Sequence, residues 1–401
     1  MKAASPLYNA NYVAFFVSTE NIRKLVMEVI NGFISSLVVE KQLNISQDEI
    51  PRLKKHIQQI GYYRFMGYAR SFIDPSTSCF YPQITLQDIL DVYIFDRKLR
   101  LHILEGLERI EVTFKALLSD SPEISKNDPF YYHQRSNFPD VSDYAWGYFT
   151  KQLDKEVKSN TTPTNGADGK KNREQAFDQF YAKNPNKKYP YSWIMFQSLS
   201  FGTITRFATD ILNADARNII ANKFNLKSNV LHSWLRMLSD LRNVCAHHSR
   251  CWNFTFGSLP TKLKNSLYLD IFEYIHDNAV DVRSNKLTQL YKLTNNAAIL
   301  KIINQAPLTV EDELDLKDLF ITDIFESTNK QFTPFHFAII QSSARKKLYH
   351  QLAVVWFFIR QISPTSEWVK RLQILINEYP VIEINKMGFP SNWTEDKFWQ
   401  L

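Results

Sequence analysis

The stretch from Leu241 to Asn253, LRNVCAHHSRCWN, combines residue types that can act on an anionic substrate. Arginine is permanently charged and can hold two phosphate oxygens at once, which makes Arg242 a candidate anion ligand. Histidine can take up and release protons near neutral pH, and His247 and His248 stand side by side. Asn243 precedes His247 by one helical turn, where it could orient the ring or contact a substrate. These four residues form the candidate catalytic set.

Helical geometry separates these residues and leaves two interpretations open. At 100° per residue, Arg242 and His247 are about 140° apart. Arg242 projects at the edge of the apolar face, and His248 projects towards it. In one interpretation, Arg242 pairs with a carboxylate of a neighbouring helix and His248 is a satisfied core residue. In the other, Arg242 and His247 share a phosphate, which requires the long reach of Arg242, a distorted helix end or a second copy of the helix.

The helix that carries the set has an apolar and a polar stripe, and Ser228 is a possible N-cap. The apolar stripe consists of Trp234, Leu238, Leu241 and Cys245, and the polar stripe of Ser233, Arg236, Asp240, Asn243 and His247.

Further helices are predicted from apolar residues at 3–4 spacing. They cover residues 20–48, a segment from Pro51 to Gly61, a long helix capped by Thr85 with Asp88, and two C-terminal helices broken at Pro364. Scarce glycine (10 residues) and the absence of alternating strand patterns add to the expectation of an all-α fold.

We expect four regions: a helical extension (1–50), a helical core (51–258), an insertion (259–345) and C-terminal helices that pack on the core (346–401). Residues 158–174 read as a solvated linker that trypsin should cut early at Lys170, Lys171 or Arg173.

Composition limits the class of protein. The net charge of +7 favours a polyanionic partner such as nucleic acid. Three scattered cysteines, no clear secretory signal and no apolar run long enough for a membrane indicate a cytoplasmic protein. The chain has no phosphate-binding glycine loop and no H-E-x-x-H motif, and the C-x-H-H-x2-C spacing is not a usual zinc pattern. We therefore expect no metal and no cofactor.

RNVCAH fits the Arg-x4-His signature of HEPN domains. Together with IGYYRFMGYARSF, DVYIFDRKLRLHILEGLERIEVTFKALL, LSFGTITRF and EYPVIEINKMGFPSNW, it resembles blocks of the bacterial Abi (abortive infection, AbiD/AbiF-like) family in the order of that family. The resemblance covers most of residues 50–257 and 346–395.

The resemblance implies an all-α, HEPN-like helical bundle that cleaves RNA without metal, in phage defence or as a toxin. Arg242, Asn243 and His247 match the motif, and His248 matches the second histidine of the family. Two positions depart from relatives: Gln197 stands where they often have Glu, and Ser249 stands where some HEPN toxins have a modified Tyr. Expected partners are RNA, a second copy of the chain and an RNA or protein antitoxin.

Several residues are candidates for support or RNA contact. Glu108 and Glu111 share a helix face, and one of them could hold Arg242 or His247; a structural ion-pair network is the alternative. Arg64 lies in an aromatic-basic stretch that could stack on bases or belong to the core. The remaining supporting candidates are Arg109, Arg236 and Arg250. The competing function is a non-catalytic RNA-binding or sensor protein.

Overall fold

The protein is described from a computed structural model that covers residues 19–161, 175–258, 346–390 and 393–395, with isolated positions between 260 and 312 and at 399. This part of the chain is helical, and its only β features are two isolated bridges, Asn44 with Thr85 and Ile73 with Phe80. The all-α prediction is confirmed. The chain divides into two compact units, Met1–Ile94 and Phe95–Leu401.

The first unit contains three helices before the long one. They are α1 (Thr19–Ser35, continued by a π turn over Ser36–Glu40), α2 (Ile50–Ile60) and α3 (Tyr62–Ala69). Pro51 lies in the first turn of α2, and Gly61 ends it with φ of 82°, as predicted from the sequence. The helix expected over 20–48 is shorter: it ends at Glu40, and a separate 3₁₀ turn begins at Gln47.

Helix α4 runs from Leu86 to Asp120 and begins in a capping box. The Thr85 backbone N–H donates to Asp88 Oδ2 at 2.8 Å, and the Asp88 N–H donates to Thr85 Oγ1 at 3.3 Å. These two bonds satisfy backbone donors that the first turn cannot pair internally. The predicted N-cap is confirmed.

The second unit contains one almost wholly buried helix, α12 (Leu348–Ile362), which packs against α4, α11 (Ser228–Ala246) and α13 (Trp368–Asn377). Its sequence LYHQLAVVWFFIRQI is apolar on nearly all sides, which suits a helix surrounded by others. Gly106 of α4 makes the close approach possible, since a Cβ there would lie 2.8 Å from Ile359 Cδ1. Among the described residues, the α-helices that follow α4 in this unit are α5 (Pro122–Ser125), α6 (Asp143–Thr161), α7 (Gln175–Lys183), α8 (Ser192–Ser198), α9 (Phe201–Arg206), α10 (Ala214–Lys223), α11 (Ser228–Ala246), α12 (Leu348–Ile362) and α13 (Trp368–Asn377).

Two sequence expectations change at element ends. Residues 158–161, expected in a linker, form the last turn of α6, where Asn160 is buried and donates to the Glu156 carbonyl at 3.0 Å. Residues 162–174, including the predicted trypsin sites, lie outside the described residues, as does most of the expected insertion over 259–345. Ser228 is the first helical residue of α11 rather than its N-cap, which is Lys227. The predicted break at Pro364 is confirmed between α12 and α13.

Candidate active site around Arg242 and His247

Helix α11 places the motif as its periodicity predicts. Trp234, Leu238, Leu241 and Cys245 are buried. Arg236, Asp240 and Asn243 are exposed on the other side. Burial of the apolar stripe fixes the rotation of the helix, because each large apolar side chain contributes about 1.5–3 kcal/mol. The rotation in turn presents Asn243 to solvent.

The helix ends at the two histidines. His247 is the C-cap, and its backbone N–H donates to Asn243 O at 2.9 Å. His248 has φ of 56°, and the N–H groups of His248 and Ser249 donate to Cys245 O and Val244 O. This is a Schellman closure with histidine where glycine is usual. Both imidazoles are exposed.

The expectation that His248 projects to the apolar side is wrong. That expectation extends the ideal helix past its last residue, Ala246. The left-handed backbone at His248 turns the chain away, so the residue lies in solvent rather than near Leu241. The same strained conformation at a candidate catalytic residue is a feature often found at functional sites.

A buried ion pair on α4 holds the loop that follows the histidines. Asp96 Oδ1 accepts the backbone N–H groups of Cys251 at 3.0 Å and Trp252 at 2.6 Å. Asp96 Oδ2 pairs with Arg100, whose Nη1 also lies 3.4 Å from Ser249 O. Asp96 and Arg100 are 0% and 4% exposed. The end of α11 is therefore fixed from α4 through buried hydrogen bonds.

Sequence reasoning missed this anchor. The available signal was the Asp96–Arg100 spacing of four residues on the apolar side of α4, where an ion pair must have partners. Cys245 and Cys251 lie in the same buried layer with their sulfurs 3.6 Å apart. A hydrogen bond with Cys245 and burial raise the pKa of the Cys251 thiol well above its ordinary value, so this thiol stays protonated.

Arg242 is half-buried at the edge of the apolar face of α11, beside a groove of about 620 Å³ along α4. Its Nε is 3.8 Å from Glu111 Oε2, and Glu111 Oε1 is 3.0 Å from Lys115 Nζ. Glu108 and Gln197 also line this groove, whereas His247 and His248 do not. Glu111 is therefore the carboxylate that contacts Arg242. From the sequence, either Glu108 or Glu111 could have contacted Arg242 or His247.

Gln197 lines the groove, and its backbone is bound to Lys115. Its carbonyl oxygen accepts a hydrogen bond from Lys115 Nζ at 3.0 Å. This contact does not depend on the side chain, so Gln in place of Glu leaves it intact. The substitution removes one negative charge from a groove that already contains three glutamates, Glu105, Glu108 and Glu111. A phosphate is repelled less as a result.

The other candidates are dispersed. Arg236 pairs with Asp210 at 2.6 Å. Arg109 does not line the groove; it donates to Ser366 Oγ at 3.1 Å and to Glu105, a residue of the groove, at 2.6 Å. Arg250 is half-buried. Arg64 is exposed on α3 in the first unit. Of the supporting set, Glu108 and Glu111 are the ones that share the groove with Arg242.

Within the described ranges, no group of three or more His, Cys, Asp and Glu residues is arranged to hold a metal ion. No helix among these residues combines the length and apolar character of a membrane span.

The fold and site define an all-α protein with an Arg-Asn-x3-His-His motif at the end of an amphipathic helix, where Asn243 and both histidines are exposed. Residues 55–253 match the family model described as Abi-like protein, and the chain belongs to that family. No curated protein and no solved structure gives a significant match to the chain.

Proposed function

We propose that the protein is a metal-independent RNA endonuclease of the HEPN type that acts in the cytoplasm in abortive infection, as a phage-defence factor or toxin. Membership of the Abi-like family supports the defence role. Arg242, Asn243, His247 and His248 are the proposed catalytic residues. An RNA or protein antitoxin is a proposed partner, since a nuclease that harms its own cell must be held inactive.

One observation carries the proposal: three of the four motif residues are exposed, and the chain that follows them is held by buried hydrogen bonds. Asn243, His247 and His248 face solvent, while Asp96 anchors the next residues through two buried hydrogen bonds. Exposed polar side chains on an immobilised backbone are what a catalytic site requires.

The chemistry matches RNA, which carries its own nucleophile. The 2′-oxygen bonds to phosphorus and gives its proton to a base, while the bond to the 5′-oxygen breaks and that oxygen receives a proton. The products are a 2′,3′-cyclic phosphate and a 5′-hydroxyl. His247 and His248 serve as proton carriers, and Arg242 stabilises the charge on the phosphorane.

We propose a site composed from two chains. The helix is regular up to Ala246, so no distortion brings His247 round to the face of Arg242. Leu101 and Val112 line the Arg242 groove and are 62% and 51% exposed, an apolar surface that a second copy would cover. A dimer would then place Arg242 of one chain near His247 of the other.

The first experiment measures cleavage of single-stranded RNA in excess EDTA. We expect cleavage by the wild type, with cyclic phosphate ends, and a loss of about 10²–10⁴-fold in His247→Ala and Arg242→Ala. Lys155→Ala and His56→Ala are controls that change exposed or half-exposed residues elsewhere and should cleave normally. Metal-dependent cleavage, or full activity in His247→Ala, would contradict the proposal.

A mixed dimer tests the composite site. Arg242→Ala and His247→Ala chains are inactive separately, but together they rebuild one of two sites if Arg and His come from opposite chains. We expect activity to return when the two variants are mixed and allowed to exchange subunits. A fully active monomer would refute the two-chain site and leave the nuclease proposal standing.

The second candidate function is RNA binding or sensing without cleavage. The ion pair between Arg242 and Glu111 favours it, because a paired arginine is partly neutralised before any phosphate arrives. RNA bound with the motif intact but left uncut in every condition would support this alternative.

A further inference from the structure

Tyr191 and Trp193 form an aromatic surface at the start of helix α8, beside the proposed site. The Tyr191 and Trp193 rings are stacked, with centroids 4.8 Å apart and planes 25° from parallel. All eight tryptophans of the chain lie in the described residues, and Trp193, at 46%, is the exposed one. Tyr191 covers one face of the indole, and much of the remaining ring surface faces solvent.

The same surface carries exposed lysines. The ring of Tyr191 is 5.2 Å from that of half-buried Phe130, and Lys187 Nζ lies 4.8 Å over Phe130. Lys187 is exposed. Lys188 is also exposed but already pairs with Asp154 at 2.9 Å. An ammonium group next to open aromatic rings is the combination that binds the backbone and bases of single-stranded nucleic acid.

Helix α8 connects this surface to the groove of Arg242. Trp193 and Gln197 are four residues apart on α8 (Ser192–Ser198), and both are exposed. They therefore share one face of the helix, about 6 Å apart along its axis. Gln197 lines the groove with Arg242. Trp193 is therefore about one helical turn away from a residue that lines the groove.

We infer that Trp193, supported by Tyr191, is a stacking platform for a base of single-stranded RNA whose neighbouring phosphate lies in the Arg242 groove. This inference rests on the proposed function and adds to it a substrate preference. Duplex RNA hides its bases in the helical stack and cannot use the platform. Stacking tolerates every base, so the platform selects strandedness rather than sequence.

The test measures binding separately from cleavage, in a His247→Ala chain that leaves RNA intact. The probe is a labelled 12-nucleotide oligouridine, with a 12-base-pair duplex for comparison. Trp193→Ala should weaken oligouridine binding roughly 5- to 150-fold, which corresponds to the loss of one stacked base. Trp193→Phe should retain most of the affinity. Duplex binding should not change.

A matched control is Tyr144→Ala, which removes an 81% exposed aromatic residue elsewhere in the second unit. It should bind oligouridine normally. Oligouridine should also quench the tryptophan fluorescence of the His247→Ala chain and quench it much less in Trp193→Phe.

Unchanged oligouridine affinity in Trp193→Ala would overturn the platform while leaving a cleaving wild type, and hence the proposed function, intact. Absence of any oligouridine binding would also overturn it. If the wild type binds oligouridine through Trp193 but never cleaves it, the platform stands and the nuclease proposal fails.

Discussion

Two stretches of α4 differ in how they use charge: one around Asp96 and Arg100, which we call the closed side, and one around Glu111, which we call the open side. On the closed side, Asp96 and Arg100 are 0% and 4% exposed and bind the loop behind the histidines. On the open side, the Glu111 and Arg242 side chains are 16% and 35% exposed and line a groove. Both sides use an acidic and a basic residue, but only one of the two pairs is accessible to a ligand.

The difference in exposure decides whether an ion pair is fixed in place or can exchange one partner for a ligand. Removing one partner of a buried pair leaves an uncompensated charge and costs about 3–5 kcal/mol, so such a pair is fixed. A pair in contact with water contributes about 0–1 kcal/mol, so a phosphate can take the place of Glu111 at Arg242. The closed side supplies rigidity to the motif, and the open side supplies its binding capacity.

The largest expected effect is on the closed side. Asp96→Asn keeps an acceptor for the loop N–H groups but removes the carboxylate charge that faces Arg100 in a buried site. We expect a loss of about 3–5 kcal/mol in the free energy of unfolding, measured by urea denaturation. RNA cleavage should fall as well, because the end of α11 loses its anchor. Asp143→Asn, at a side chain exposed to solvent, is the control and should unfold like the wild type. A much smaller loss of unfolding free energy in Asp96→Asn would mean that water reaches the Asp96–Arg100 pair.

A second effect, at a residue elsewhere on α4, depends on pH. His102 stacks on Trp368, and burial lowers its pKa from 6.5 to about 4. Between these values the unfolded chain binds the proton and the folded chain does not, so stability falls as pH falls from 6.5 to 4. The loss is at most about 3 kcal/mol from this residue. His102→Phe keeps a ring against Trp368, and its unfolding free energy should change less over this range. Equal pH slopes for the two proteins would show that His102 is accessible to protons.

Features that depend on residues close together along the chain could be predicted from the sequence. The Thr85–Asp88 cap and the Leu238–Leu241–Cys245 stripe follow from residues within a few turns, and the structure confirms them. The anchor from Asp96 to Cys251 and Trp252 joins residues more than 150 positions apart, which no periodicity records.

The position of His248 was missed because the turn after Ala246 ends the helix that the prediction extended. For Arg242, spacing reduced the partner to Glu108 or Glu111, and packing selected Glu111. Whether these residues catalyse a reaction stays a prediction.

The smallest effect on stability is expected on the open side, at Glu108. This residue is exposed and lines the Arg242 groove, so Glu108→Gln should leave the free energy of unfolding within about 0.5 kcal/mol of the wild type. It removes a negative charge where we propose that a phosphate binds. In the His247→Ala background, oligouridine should therefore bind about 2- to 5-fold more tightly at low salt. The gain should shrink at about 1 M salt, where the Debye length is about 3 Å.

Asp143→Asn removes one charge elsewhere and controls for net charge alone. Weaker binding in Glu108→Gln would show that this carboxylate contacts the RNA itself, and destabilisation comparable to that of Asp96→Asn would show that the open side also serves to hold the fold.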